Sequence, residues 1–323
     1  MSVWELTAIA ATRIRRAMLK TVAGLVLVLG FAIAVSACGG SAAAPRLGPV
    51  LHVSANGLSI GYRTGGSGPW LILVMGRSGT MADWDPLLIK RLIGNHRVLI
   101  FDNRGMGTSS NNTIPPSQVT IPLMANDTLA LATALHIEHF DVMGWSMGGE
   151  ISQQVTADAP GRVMKLVLCA TSAGGPTEQP PSPSVAKVMN EPSLPARTLL
   201  KLSFPPKHRR SAIEYSARVA AQYVRDHLPS DSFSSTANGR AGQQHAREQW
   251  VSSTGGVYNE LPKLNTPVLV MWGTLDVIDP PANDQLIVKR LRNASSKVFR
   301  DAGHAFLFQD ATQVGQAANA FLG

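Results

Sequence analysis

Cysteine is nearly missing from these 323 residues, which hold only Cys38 and Cys169. That excludes a disulfide-stapled scaffold, which needs several pairs. No clustered His/Cys/Asp spacing suggests a metal site, so no metal is expected. Charge is sparse at 15% of residues. No arginine stripe or interleaved aromatic pattern occurs, which argues against nucleic acid as a partner. The formal net charge of +8 is partly N-terminal, with Arg13, Arg15, Arg16 and Lys20 set against Glu5. Later basic residues are scattered, with one local run at Lys207-His208-Arg209-Arg210. Low-complexity tracts are missing too, and at 45% hydrophobic the chain is no disordered segment. Its length suits one large α/β domain with an insertion, or two small domains.

The first 37 residues read as a leader rather than fold. The basic segment precedes an apolar run, Thr21 to Val35, too short for a span and suited to a signal peptide. The following "VSAC" resembles the bacterial lipobox, which implies lipidation of Cys38 after cleavage and a lipid-anchored, extracytoplasmic protein. An ordinary signal peptide or an uncleaved anchor is the plainer alternative, and Met18 is an alternative start. Residues 38–49 would then be a tether. With Cys38 committed to lipid, Cys169 has no partner. It lies in an apolar run, "KLVLCA", and reads as a buried free thiol.

From residue 50 the pattern alternates. Val50 to Tyr62 reads as an edge hairpin turning at Asn56-Gly57. Trp70–Met75, Val98–Asp102, Phe140–Met143 and Lys165–Ala170 read as short buried strands. Leu123–Ile137 and Gly148–Ala159 read as helices. Such alternation predicts an α/β fold, a mostly parallel twisted sheet with helices on both faces. The rhythm breaks after Thr171 in a proline-punctuated stretch, with helices expected near Ser211–His227 and Ala237–Ser252. It returns with a strand at Pro267–Trp272, a helix at Pro281–Arg292, a strand at Lys297–Arg300 and a helix at Ala311–Leu322. The expected division is a core of residues 50–172 and 256–323, interrupted by a helical insertion at 173–255.

Within "DVMGWSMGGE" the pattern Gly144-x-Ser146-x-Gly148 is weak alone, with about 0.2 matches expected by chance. Its place between a strand and a helix is what a nucleophile elbow requires. Small residues at 144 and 148 allow the tight turn, and the helix N-terminus offers the Met147 N–H to an oxyanion. A serine hydroxyl needs a base. Of eight histidines, His304 alone follows the last strand, on a loop opened by Gly303. The imidazole in turn needs a carboxylate. Asp276, after the penultimate strand, is preferred; Asp279, just before Pro280, reads as a helix cap. The order Ser146, Asp276, His304 is that of an α/β-hydrolase triad.

From about residue 50 onward the chain thus resembles a serine hydrolase of the α/β-hydrolase fold superfamily. The turn Asp102-Asn103-Arg104-Gly105-Met106-Gly107-Thr108-Ser109 is similar to that family's D-x-R-G-x-G-x-S turn, which implies that Asp102 and Arg104 are braces. The insertion matches the family's cap over the pocket. One departure stands out: many members carry His-Gly after the third strand, where this chain reads Met75-Gly76-Arg77-Ser78. The second oxyanion donor is a backbone N–H, so Arg77 is the expected donor by position and Ser78 the lesser alternative. The Arg77 side chain is expected to reach solvent, with the pocket as the alternative.

The resemblance implies hydrolysis of a small acyl substrate, by default a carboxylic ester, with no cofactor. Cofactor-free haloperoxidase or perhydrolase chemistry uses the same triad. C–C hydrolases share a similar elbow but carry a His-Gly-x-Gly-Pro-Gly loop that is absent here. A non-catalytic ligand-binding lipoprotein is the reading from a different class.

Overall fold

Asn56 and Gly57 both take positive φ, 47° and 75°. Two such residues form the primed turn whose twist suits a tight hairpin. They join β1 (Leu51–Ala55) to β2 (Leu58–Gly65) in antiparallel register, Ala55 opposite Leu58. The computed structural model describes residues 46–109, 114–191, 194 and 196–323. The leader, the lipobox-like cysteine Cys38 and the first part of the tether lie outside the described residues.

After the hairpin come β3 (Trp70–Val74), α1 (Pro86–Leu92), β4 (Arg97–Phe101), α2 (Ile121–Ala134) and β5 (Phe140–Trp145). Next are α3 (Met147–Asp158) and β6 (Val163–Cys169), then the insertion. The core resumes with β7 (Val268–Gly273), α8 (Pro281–Arg290), β8 (Ala294–Phe299), α9 (Phe306–Gln309) and α10 (Ala311–Leu322). Among the described residues these strands form one eight-stranded sheet, ordered β1-β2-β4-β3-β5-β6-β7-β8. From β4 to β8 every pairing is parallel, and only β1–β2 and β2–β4 are antiparallel.

Continuous apolar strands bury both faces of the sheet. On one face Ile72, Val74, Val142, Leu168 and Val270 pack with Met124 and Leu131 of α2, Ile151 of α3 and Ile287 of α8. On the other, Leu71, Leu73, Met143, Cys169 and Met271 pack with Leu88 of α1 and Val314 of α10. Cys169 is free and buried, as expected, and burial pushes its thiol well above the usual value.

The chain passes from β3 to β4 on one side, then returns to lay β5 on the other. That reversal opens a crevice at the carboxyl ends of β3 and β5, where α/β sheets gather their ligands.

The insertion is more helical than the proline-rich sequence suggests. Besides α6 (Arg209–Arg225) and α7 (Ala237–Trp250), it holds α4 (Pro183–Met189) and α5 (Ala196–Ser203). Pro183 opens α4 at its first turn, where its missing N–H costs nothing, and the Ser182 hydroxyl accepts from Val185 N. The same device starts α1, where Asp85 caps Leu87 N at 2.8 Å ahead of Pro86.

Three contacts seat the insertion on loops that follow strand ends. Arg218 of α6 grips Asp85 at 2.5 Å, and Tyr215 donates to the Asp83 carbonyl at 2.8 Å. Gly239 of α7 lies so close to Gly105 that a Cβ there would stand 2.3 Å from the Gly105 carbonyl oxygen.

Candidate active site

Strand β5 ends one residue before Ser146, which has φ 55° and ψ −127°. For a non-glycine residue this conformation costs on the order of 1–3 kcal/mol, and the packing around it must enforce it. Ser146 N donates to the Cys169 carbonyl at 2.9 Å, and its own carbonyl accepts from Thr171 Oγ1 at 2.8 Å. The neighbouring glycines are required by space. A Cβ at Gly144 would lie 2.1 Å from the Gly148 carbonyl oxygen, and one at Gly148 2.0 Å from that of Val74. Ser146 stays half-buried.

Met147 opens α3, so its N–H has no carbonyl four residues back within the helix. The loop after β3 closes the other side of the serine. A Cβ on Gly76 would stand 3.2 Å from the Ser146 Cβ. The turn after β4 holds that loop, since Asn103 Nδ2 donates to the Met75 carbonyl at 3.0 Å. Ser78, with φ 63°, gives its N–H to the buried Gln243 Oε1 of α7 at 2.7 Å. Of the two oxyanion donors considered for this loop, the Ser78 amide is therefore committed to α7, which favours Arg77.

The Arg77 side chain departs from the expectation of solvent. Its guanidinium bonds Gln244 Oε1 of α7 and, at 2.8 Å, the Met189 carbonyl at the end of α4. Both partners are neutral. Burial, and then the nearby Arg247, pull the Arg77 guanidinium down to about 10.

His304 and Asp276 come together from separate loops. His304 is 3% exposed, and its Nδ1 lies 2.7 Å from Asp276 Oδ2. The other Asp276 oxygen accepts the N–H groups of Ile278 and Asp279 at 2.8 and 2.9 Å. Those bonds fix the carboxylate plane and leave Oδ2 for the imidazole. Burial opposes the imidazolium, yet Asp276 and the more distant Asp279 outweigh it and hold His304 above its usual value.

Asp279 does not cap α8 as expected. Pro280 occupies the cap position, and Asp279 instead accepts the Asn283 side-chain amide at 2.6 Å. The reason is local: Pro280 and Pro281 carry no N–H for the Asp279 carboxylate to accept, and Pro281 takes the first helical position.

The pair also meets the elbow through Trp145, a residue that sequence reasoning passed over although it sits inside the pentapeptide. Its Nε1 donates to the His304 carbonyl at 3.0 Å, and the two rings lie 5.3 Å apart. Asp102 and Arg104 face inward as ties. Asp102 accepts from Met81 N at 2.7 Å and Thr108 N at 2.8 Å, while Arg104 forks onto Asp127 at 2.5 and 2.6 Å. Among the described residues, no group of three or more His, Cys, Asp or Glu could hold a metal ion.

A strained serine between β5 and α3, with a histidine–carboxylate pair on the loops after β7 and β8, is the arrangement of an acyl-transfer site. Residues 69–311 match the alpha/beta hydrolase fold family. A poly(3-hydroxyalkanoate) depolymerase from Ectopseudomonas oleovorans is 30% identical over 234 residues, 72% of this chain and 77% of that protein. A Mycobacterium tuberculosis protein named for non-heme bromoperoxidase activity, BpoC, is 27% identical over 80% of this chain and 96% of its own. Among solved structures, an alpha/beta hydrolase fold protein from Chitinophaga pinensis superposes with TM-score 0.74 at 26% identity, over 85% of this chain and 97% of its own. By its match to the family model over residues 69–311 and its likeness to these relatives, this chain belongs to the alpha/beta hydrolase fold family and is an enzyme of that family.

Proposed function

We propose that this protein is a serine hydrolase of carboxylic esters that works through an acyl-enzyme. The observation that carries the reading is the buried His304–Asp276 pair, joined through Trp145 to the elbow that bears Ser146. Ser146 Oγ attacks the acyl carbonyl while His304 Nε2 takes its proton. Asp276 accepts the Nδ1–H bond, holding the tautomer and stabilising the imidazolium. The tetrahedral oxyanion sits between the N–H groups of Met147 and Arg77. The imidazolium returns its proton to the leaving alcohol, and water repeats the steps to free the acid. The helical insertion acts as a cap that sets the acyl chain accepted. The depolymerase relative, named for a polyester substrate, supports esters as the bond cleaved.

Incubation with a fluorophosphonate tests the nucleophile. Wild type should be labelled and Ser146→Ala should not; an unlabelled wild type sinks the proposal. A p-nitrophenyl ester panel from acetate to palmitate then measures the acyl preference.

The BpoC likeness favours one second reading, in which peroxide replaces water at the acyl-enzyme and the acyl group leaves as a peracid. Bromide-dependent halogenation supported by acetate and peroxide, and lost in Ser146→Ala, would establish it.

We further propose that the protein is lipid-anchored at Cys38 on the extracytoplasmic face. The support is the basic leader, the short apolar run and "VSAC". Among the described residues no helix is long and apolar enough to cross a membrane. Cys38→Ala should release the protein from the membrane fraction; full retention would refute lipidation as the anchor.

A further inference from the structure

Gly79 N donates to the Gly76 carbonyl at 3.2 Å, which closes a turn after β3 with Arg77 and Ser78 at its two corners. Of these two only Ser78 takes a positive φ, 63°. A positive φ at the second corner marks a type II turn, which ordinarily carries glycine there. Serine is strained in that conformation, so contacts from outside the turn must keep it.

Those contacts come from α7. Gly239, Gly242, Gln243, Ala246 and Trp250 are buried along one face of this helix. The glycines let it lie close, since a Cβ at Gly242 would stand 2.7 Å from Val119. Just ahead of the helix, Ser234 accepts from Gly107 N at 2.8 Å, and Thr236 N donates to the Gly105 carbonyl at 3.2 Å. Both bonds tie the start of α7 to the turn after β4. Toward its other end Arg247 places Nε 3.0 Å from Glu150 Oε1, in the first turn of α3, and both terminal nitrogens on Glu178. The helix thus runs from the β4 turn to the helix that begins at the nucleophile, and the loop after β3 meets its middle.

Gln243 is fully buried in that middle, and its Oε1 accepts the Ser78 N–H at 2.7 Å. Its Nε2 is buried without a hydrogen-bond partner among the described residues. An amide satisfied at one end only is a net cost to folding, so its value lies in what the other end holds. The Ser78 N–H belongs to the central peptide of the turn, and types I and II differ by rotation of that peptide. Solvent would satisfy the N–H in either orientation, and type I would relieve Ser78 of its positive φ. The Gln243 oxygen, fixed in the interface, satisfies only one orientation. Its neighbour Gln244 holds the other corner. Gln244 Oε1 accepts from the Arg77 guanidinium while its Nε2 donates to Glu248 at 2.8 Å, and the guanidinium also bonds the Met189 carbonyl.

We infer that Gln243 is a positioning residue for the ester hydrolysis proposed above. By gripping the central peptide it keeps the turn in its strained form and holds the Arg77 N–H toward the oxyanion. Rotation of that peptide pivots on the Cα of Arg77, and the turn stands beside the nucleophile, with a Cβ on Gly76 only 3.2 Å from the Ser146 Cβ. The second oxyanion donor is therefore in place only while α7 is seated, and the insertion completes the catalytic site as well as covering it. The inference rests on the serine-hydrolase reading for its kinetic consequence, whereas the grip on the turn does not.

The test compares full-length wild type with Gln243→Met, which removes the acceptor at similar length, and Gln243→Glu, which keeps an acceptor oxygen. Kinetics on p-nitrophenyl acetate are read beside inhibition by an alkyl trifluoromethyl ketone and by the matching carbinol. Ser146 Oγ adds to the ketone carbon, its proton passes to His304, and the carbonyl oxygen becomes an oxyanion; the carbinol cannot form one. In Gln243→Met kcat/KM should fall roughly 10- to 50-fold, mostly in kcat, short of the loss of about 10²–10³-fold that follows removal of a donor outright. The ketone should weaken by the same factor and the carbinol should bind as before. Gln243→Glu should keep most of the activity. If Gln243→Met does not fold, Arg77→Met, which keeps the N–H but frees it from Gln244 and Met189, should weaken the ketone and spare the carbinol. Equal weakening of both inhibitors, or of neither, overturns the inference. Hydrogen exchange at the Ser78 amide, slow in wild type and fast in Gln243→Met, reads the grip without substrate, and equally fast exchange in both also overturns it. A wild type that takes no fluorophosphonate but shows the exchange difference would defeat the hydrolase reading and leave Gln243 as the holder of the turn.

Discussion

The indole of Trp145 donates its Nε1–H to the carbonyl oxygen of His304 at 3.0 Å, with the two rings 5.3 Å apart. The residue before Ser146 thus holds the backbone that carries His304, and the turn at Ser146 and the histidine loop are tied to each other. Trp145→Phe keeps the ring against His304 and Phe308 but removes the donor. It should cost about 1 kcal/mol in stability and lower kcat several-fold with KM nearly unchanged. Denaturant unfolding and steady-state kinetics measure both, and an unchanged kcat would show that the bond does not position the imidazole.

Replacing Ser146 by glycine separates strain from chemistry. Glycine adopts φ 55° without the Cβ penalty, so Ser146→Gly should be inactive yet more stable than wild type by about 1 kcal/mol. Thermal unfolding of the two proteins gives the difference. A destabilised variant would mean that the serine side chain contributes more to packing than its conformation costs.

The two aspartates of the β7 loop should differ sharply. Asp276→Asn leaves the imidazole without its carboxylate and should lower kcat by about 10⁴-fold. Asp279→Asn keeps an oxygen that can accept from Asn283 and loses only a charge away from the imidazole hydrogen bond, so it should stay within about tenfold of wild type. Equal losses at the two positions would overturn the assignment of Asp276.

Activity and the His304 contribution to stability should respond to pH with opposite signs. His304 is held above its usual value, and only the neutral ring accepts a proton from Ser146. So kcat/KM should fall tenfold per unit below a midpoint that lies above about 6.5. The same raised value stabilises the folded protein fully below the unfolded value near 6.5, and that contribution is lost as pH rises through the folded midpoint. His304→Gln should flatten this part of the stability profile. An acid limb at or below about 6 would contradict the stabilising effect of Asp276 and Asp279.

The Arg104–Asp127 fork tests the bracing role of the turn after β4. Both side chains are buried, so Asp127→Ala removes two charge-assisted hydrogen bonds to Arg104 and the bond from Asn56, and should cost about 3 kcal/mol. Chemical denaturation reads the loss directly.

The alternation of strands and helices, the hairpin at Asn56-Gly57 and the elbow at Ser146 were all legible in the sequence, because local spacing and glycine placement dictate them. That Asp276 and His304 would meet was legible for a related reason: residues just past parallel strands gather at one edge of the sheet. Helices α4 and α5 were hidden by their prolines, which mark helix starts as often as breaks. The partners of Arg77 belonged to no local pattern, nor did the seat of Arg247 between Glu150 and Glu178. They join positions 69 to 167 residues apart, and only the docking of the insertion decides them. By itself the sequence determined which residues stand at the strand ends. Tertiary structure decided which charges surround those residues, because the energy of a buried charge depends on neighbours that the chain order does not bring together.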